Sequence, residues 1–161
     1  MEPRFDLMTN ELGAKFSKRF GSASLAILES TLPKATQDLV MLRISQINGC
    51  GFCVDLHARE AAVAGETAVR PAWHHSTVFT DGERAALALA EEGTRLADDN
   101  HGVSDVTWAA VRKNYDDDQI AALVCLIAQT NASNRLGLIV GKRGGFSEAM
   151  SLARASSGSS P

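Results

Sequence analysis

The chain has 161 residues, 45% of them hydrophobic and 22% charged, with a formal net charge of −3. These proportions suit a globular protein, and at this length one domain buries roughly 70% of the surface its unfolded chain exposes. The mildly acidic balance argues against nucleic acid or an anionic membrane as partner. The longest strongly apolar run, Ile120 to Ala128, is far shorter than the ~20 residues of a membrane-spanning helix.

The opening residues, Met1 to Asp6, contain no apolar stretch of the kind a secretory signal needs, so a cytoplasmic location is expected. From Asn10 to about Ser30, Leu12, Phe16, Phe20, Ala23 and Ile27 recur on one helical face. Thr31-Leu32-Pro33-Lys34 interrupts the pattern. Thr36 is the expected cap of a second helix, with Asp38 in its first turn, where a carboxylate suits the helix dipole. Val40, Ile44 and Ile47 give that helix an apolar face, and Asn48-Gly49 ends it. An alanine-rich helix follows from Cys50 to Gly65, with the glycine standing where helix ends favour one. Residues 66–79 are less regular; His74 and His75 read as part of a solvated loop and Trp73 as packing or interface. Thr80-Asp81-Gly82-Glu83 has the spacing of a capping box and opens a helix to about Leu96 or Ala97. Ser104 caps a short helix through Lys113, which carries Trp108, again read as packing or interface.

Asp116, with Gln119 three residues on, opens the last long helix, which is expected to reach nearly to Gly141. Asp117 and Asp118 read as its charged start rather than as a cation site. Ile120, Leu123, Val124 and Ile127 form an apolar stripe on it, and the intervening positions are also mostly apolar, so this helix belongs in the core or at a subunit interface. Cys125, alone among Leu123, Val124, Leu126 and Ile127, is expected to be a core residue. Residues 153–161, rich in serine, read as a disordered tail. No strand pair is evident. The expectation is one all-α domain over 1–152, built from five to seven helices.

Residues 48–65 carry the chemistry. Cys50, Cys53 and His57, at i, i+3 and i+7, share one stripe at the start of a helix. Simple packing is one reading, but three reactive side chains on a stripe exceed what packing requires. Zinc is another, yet a structural site needs four ligands and no second Cys-x-x-Cys pair exists; His74, His75 and His101 lack a matching spacing. Thiol redox chemistry fits better. The thiolate is the reactive form, and a helix N-terminus contributes only about 0.3–1 kcal/mol, less than one pKa unit. His57 can supply the rest as base or imidazolium. Its closer partner is Cys53, which leaves Cys50 as the resolving thiol. Asp38 is the candidate carboxylate to hold the imidazole in a useful tautomer.

The run from Asp38 to His57, with Arg43-Ile44-Ser45-Gln46-Ile47-Asn48-Gly49-Cys50-Gly51-Phe52-Cys53 at its centre, resembles the core motif of the AhpD-like alkylhydroperoxidases in the carboxymuconolactone decarboxylase superfamily. The likeness continues through Ala64-Gly65-Glu66, the helix from Thr80 to Leu96, and Asn131-Ala132-Ser133-Asn134-Arg135-Leu136. It covers most of residues 30–140. The resemblance implies an AhpD-like helical fold, assembly into trimers or hexamers, and a thiol peroxidase cycle on Cys50 and Cys53 with His57 in a proton relay. Three positions depart from the family pattern. Asp38 stands where glutamate is typical, Ser133 where relatives often carry an aromatic residue, and Phe52 where some carry a second histidine.

The expected function is a thiol-dependent peroxidase or disulfide oxidoreductase acting on a small hydroperoxide and needing no bound cofactor or metal. Its reductant is expected to be a dithiol, such as a lipoyl- or thioredoxin-like protein. The alternatives are a non-enzymatic redox sensor or interaction protein, and a lactone decarboxylase of the same superfamily, whose chemistry needs no thiol pair.

Overall fold

Among the described residues, side-chain caps start four helices. The computed structural model describes residues 3–63, 73–98 and 102–144. Asn10 accepts from the Gly13 amide and opens α1, Glu11–Leu28. Thr80 and Glu83 form the expected capping box of α4, Asp81–Thr94. Ser104 caps α5, Asp105–Asn114, and Asp116 with Gln119 forms a second capping box for α6, Asp117–Ile139. Each cap satisfies an amide that has no partner inside its helix.

The start of α2, Lys34–Ile47, differs from expectation. Pro33 occupies the cap position and no side chain caps the helix. Thr36 lies inside the first turn, where it is buried and hydrogen-bonds Tyr115. The ring of Pro33 fixes φ and so stops the preceding chain without a capping side chain. At the other end Asn48 and Gly49 terminate α2 as expected, Gly49 at a φ of +67° that favours glycine. Helix α3, Gly51–Val63, follows directly. Its expected glycine stop at Gly65, the tail at 153–161 and His101 lie outside the described residues. Trp73–His75 is a single 3-10 turn rather than loop.

No strand occurs among the described residues, and the fold is all-α. Helices α2, α4 and α6 form its centre. Val40 and Ile44 of α2 meet Ala86, Leu89 and Ala90 of α4 and Leu123, Leu126 and Ile127 of α6. The alanines, and Gly93 against the Ile127 side chain, let α4 and α6 approach closely. Leu39, Leu42, Trp73, Phe79 and Leu87 make a second cluster on the outer side of α2 and α4.

One expectation about burial needs correction, and one helix buries little of its apolar face. On α1 only Ile27 of the apolar face is buried; Leu12 and Phe16 are exposed, because this helix rests chiefly on α6. Cys125 is exposed, not in the core. Helix α6 is apolar over most of its circumference, but the chain covers one side of it. Ala121, Val124, Cys125 and Ala128 form the uncovered stripe at i, i+3, i+4 and i+7.

Leu123 has no solvent exposure at the meeting of α2, α4 and α6. Leu123→Ala is expected to destabilise the protein by about 2–5 kcal/mol in urea denaturation, whereas Thr80→Ala should cost about 1 kcal/mol. Equal losses would place Leu123 outside the core.

Candidate active site

The cysteines are presented by the sharp turn between α2 and α3. The Cys50 amide donates to the Ser45 carbonyl at 3.0 Å, and the Cys50 carbonyl accepts the first bond of α3, from the Val54 amide at 2.9 Å. Cys50 therefore sits at the helix start and Cys53 one turn inside it. A disulfide joins them, with the Cα atoms 5.3 Å apart. Both are buried, Cys50 at 1% exposure and Cys53 at 6%. Gly137 of α6 closes over Cys50: a Cβ there would stand 3.9 Å from its sulfur. Cys53 instead lines a cavity together with Phe52, Leu56, His57 and Leu136. In this oxidised form the two sulfurs are bonded to each other rather than available as metal ligands.

A buried amide network holds the turn. The Asn48 side-chain amide donates to Asn131 Oδ1 at 2.9 Å and to Asn134 Oδ1 at 3.0 Å. Asn134 in turn donates to the Ser45 hydroxyl at 3.2 Å, and Asn131 donates to Thr94 Oγ1 at 3.0 Å. Three helices are thus tied to the residues that flank Cys50. Asn131 and Asn134 entered the sequence reading only through the family resemblance; their i, i+3 spacing on an otherwise apolar helix was the signal for paired inward amides.

His57, half-buried, stands one turn beyond Cys53. It lines the cysteine cavity and a second cavity, which Lys34 also lines. Asp38 is 1% exposed on α2. Its Oδ1 pairs with the Lys34 ammonium, and its Oδ2 is buried without a hydrogen-bond partner. The structure therefore connects Asp38 to the His57 cavity through Lys34, an i, i+4 partner that the sequence displays and the sequence reading passed over. Phe52 lies under the Lys142 ammonium, 5.0 Å from the ring centre.

A partly buried ionic cluster lies apart from the cysteines. Glu91 Oε1 accepts from Arg43 Nε at 2.7 Å and from Trp73 Nε1 at 2.6 Å, while His74 Nε2 is 3.3 Å from Oε2. Burial raises the Glu91 pKa, but the hydrogen bonds from Trp73 and Arg43, the Arg43 charge and His74 together outweigh it, leaving a net lowering. Trp73 is accordingly a buried donor as well as a packing residue.

Residues 14–92 match the carboxymuconolactone decarboxylase family. Over 119 residues, 71% of this chain and 80% of the relative, the sequence is 36% identical to the uncharacterized protein YdfG of Bacillus subtilis. The chain belongs to the carboxymuconolactone decarboxylase family. A second family relative, the uncharacterized protein YnjA of Escherichia coli, is 29% identical over 110 residues, 66% of this chain and 59% of that protein. The fold also superimposes on a crystal structure from Agrobacterium tumefaciens, described as a protein of unknown function and provisionally as an antioxidant defence protein AhpD. Its TM-score is 0.76 at 25% identity, over 89% of this chain and 98% of that one. A peroxidase-related protein from Ralstonia eutropha, described as an alkylhydroperoxidase AhpD core, shares the fold at TM-score 0.62 and 18% identity, over 82% of this chain and 72% of that one. The all-α, AhpD-like architecture expected from the family motif is the observed one.

Two measurements probe these networks. Asn134→Leu leaves the Ser45 hydroxyl and the Asn48 amide short of a partner, and a loss of about 1–3 kcal/mol is expected in chemical denaturation. The lowered Glu91 pKa stabilises the fold above the ordinary carboxylate range; this contribution is lost as pH falls through that range to the lowered value. Wild-type stability should therefore decline with acid more steeply than that of Glu91→Gln, as read by thermal melts across the acid range.

Proposed function

We propose that this member of the family is a thiol peroxidase whose Cys50–Cys53 pair cycles between dithiol and disulfide. The observation that carries the reading is the disulfide at the start of α3, with one of its sulfurs, Cys53, opening on a cavity that His57 shares. Reduced Cys53 gives its proton to the imidazole. The thiolate attacks the terminal oxygen of a hydroperoxide, the O–O bond breaks, and the leaving alkoxide takes the proton back from His57 as an alcohol. Cys53 is left as a sulfenic acid. Cys50 then displaces its oxygen, which leaves as water with the Cys50 proton, and the disulfide re-forms. A dithiol returns the pair to its reduced state and becomes a disulfide itself.

Burial supports this order of attack. Cys50 is covered by Gly137, whereas Cys53 faces the cavity and lies nearer His57. General-base assistance is typically worth 10²–10⁴ in rate, roughly 3–5 kcal/mol, against about 1 kcal/mol for the helix end. Asp38, held by Lys34, serves the relay as a buried carboxylate. The thiol pair favours this chemistry over lactone decarboxylation, which has no use for it. The reductant is a dithiol of the lipoyl or thioredoxin type, and the setting is the cytoplasm; no helix among the described residues is long and apolar enough to cross a membrane. The uncovered stripe on α6 and the exposed Leu12 and Phe16 on α1 suit a homo-oligomer, for which the family resemblance implies three or six copies.

Variant chemistry tests the reading. Cys53→Ser should abolish reaction with hydroperoxide. Cys50→Ser should react once and stop at a sulfenate that dimedone traps, and His57→Ala should slow that step by about 10²–10⁴. Dimedone labelling of Cys53→Ser at Cys50 reverses the order of attack. Light scattering at micromolar concentration is expected to show an oligomer; a stable monomer contradicts that assignment.

A further inference from the structure

The cleft at His57 extends beyond the cysteine side. One hollow, of about 310 Å3, is lined by Cys53 and Leu136; the other, of about 270 Å3, is lined by Met41 and Leu126. Phe20, His57 and Ser133 line both, so these three side chains stand between the two. One hollow falls below, and the other at the bottom of, the ~300–1,000 Å3 usual for ligand cavities, and together they fall within it.

The cysteine-side hollow is bounded by the N-terminal segment through Phe5, Leu7 and Met8. That segment is anchored at two points. The Arg4 amide donates to the Val140 carbonyl at 2.7 Å. The Leu7 carbonyl lies so close to α1 that a Cβ on Gly13 would be 2.1 Å from its oxygen. A ligand reacting at Cys53 is therefore limited on that side and extends past His57. The second hollow offers an apolar wall of Ile27, Leu28, Met41 and Leu126. Its amide at Gln129 is already engaged, donating to the Phe20 carbonyl at 2.8 Å and to Ser24 Oγ at 2.7 Å. An apolar chain laid there removes apolar surface from water without stranding that amide.

Building on the peroxidase reading, we infer that Ser133 is a specificity-determining residue that admits long-chain organic hydroperoxides. Its short side chain leaves the passage beside His57 and Phe20 open. The O–O bond then lies at Cys53 while the alkyl body occupies the Met41–Leu126 hollow. A bulky side chain at 133 fills the passage and restricts the cleft to hydroperoxides that fit the cysteine side alone. The reaction itself is unchanged: the long-chain hydroperoxide leaves as its alcohol.

Two readouts test this, one of them independent of turnover. Decan-1-ol, the alcohol product of decyl hydroperoxide, is added to the full chain and its nuclear Overhauser contacts are mapped. Contacts to both Leu136 and Leu126 methyls are expected in the wild type, and loss of the Leu126 contacts in Ser133→Phe. In parallel, the ratio of kcat/KM for decyl over tert-butyl hydroperoxide should fall at least about tenfold in Ser133→Phe, and should stay near the wild-type ratio in Ser133→Ala. If Ser133→Phe does not fold, Ser133→Leu takes its place, and the wild-type contacts decide on their own. Contacts confined to one hollow, or a parallel loss for both hydroperoxides, overturn the inference. If the wild type reduces neither hydroperoxide yet decan-1-ol spans both hollows, the peroxidase reading fails and the assignment of the cleft stands.

Discussion

The whole site depends on one buried contact, the meeting of Asn48 with Asn131 and Asn134. It fixes the end of α2 against α6 at the point where the chain reverses into α3. A single left-handed glycine, Gly49, makes that reversal sterically possible. The amides make it unique, because any other register would leave several buried donors and acceptors without partners. Cys50 is thereby held under Gly137, Cys53 is turned to the cavity, and His57 follows one helical turn later. A geometry suited to disulfide exchange thus emerges from a turn, a short helix and three amides.

Around this point the fold divides its labour between apolar and polar contacts. The centre, where α2, α4 and α6 meet, is almost wholly aliphatic and supplies the bulk of the burial. The polar contacts around the site include the amide network at the cysteine turn, the Arg43–Glu91–Trp73 cluster joining α2, α4 and the 3-10 turn, and the Lys34–Asp38 pair at the start of α2. The first two fix the relative position of elements that aliphatic packing alone would allow to slide, and the third lies within α2. Two buried acceptors on α2, Gln37 Oε1 and Asp38 Oδ2, have no hydrogen-bond partner, and Asp38 is the one whose ion-pair partner, Lys34, lines a cavity with His57.

Much of this was legible in the sequence. Thr80, Ser104 and Asp116 declared their helices because a cap and its partner three residues on are local signals. Cys50, Cys53 and His57 declared the site because their spacing places them on one stripe whatever the tertiary context. The start of α2 was misread, since Thr36 is a good cap residue in isolation but Pro33 already fixes the chain before it. Cys125 was misread for a different reason. A helix apolar on nearly every side shows no sequence signal of which side the chain itself covers, and the cysteine fell on the uncovered one. The inward amides of α6 have helical spacing, but their partners come from a helix crossing that no single stretch encodes; the Lys34–Asp38 pairing is local, and only its place beside the His57 cavity comes from the fold.

Cys125, exposed in the single chain, also sharpens the central claim, because it is a third thiol against which the selectivity of the buried pair is read. The most direct measurement is mass analysis of the reduced wild-type protein after one equivalent of an organic hydroperoxide. The account predicts loss of two hydrogens per chain, mapped to a Cys50–Cys53 disulfide, with Cys125 still a free thiol. Oxidation that appears first at Cys125, as added oxygen or as a disulfide, would contradict it.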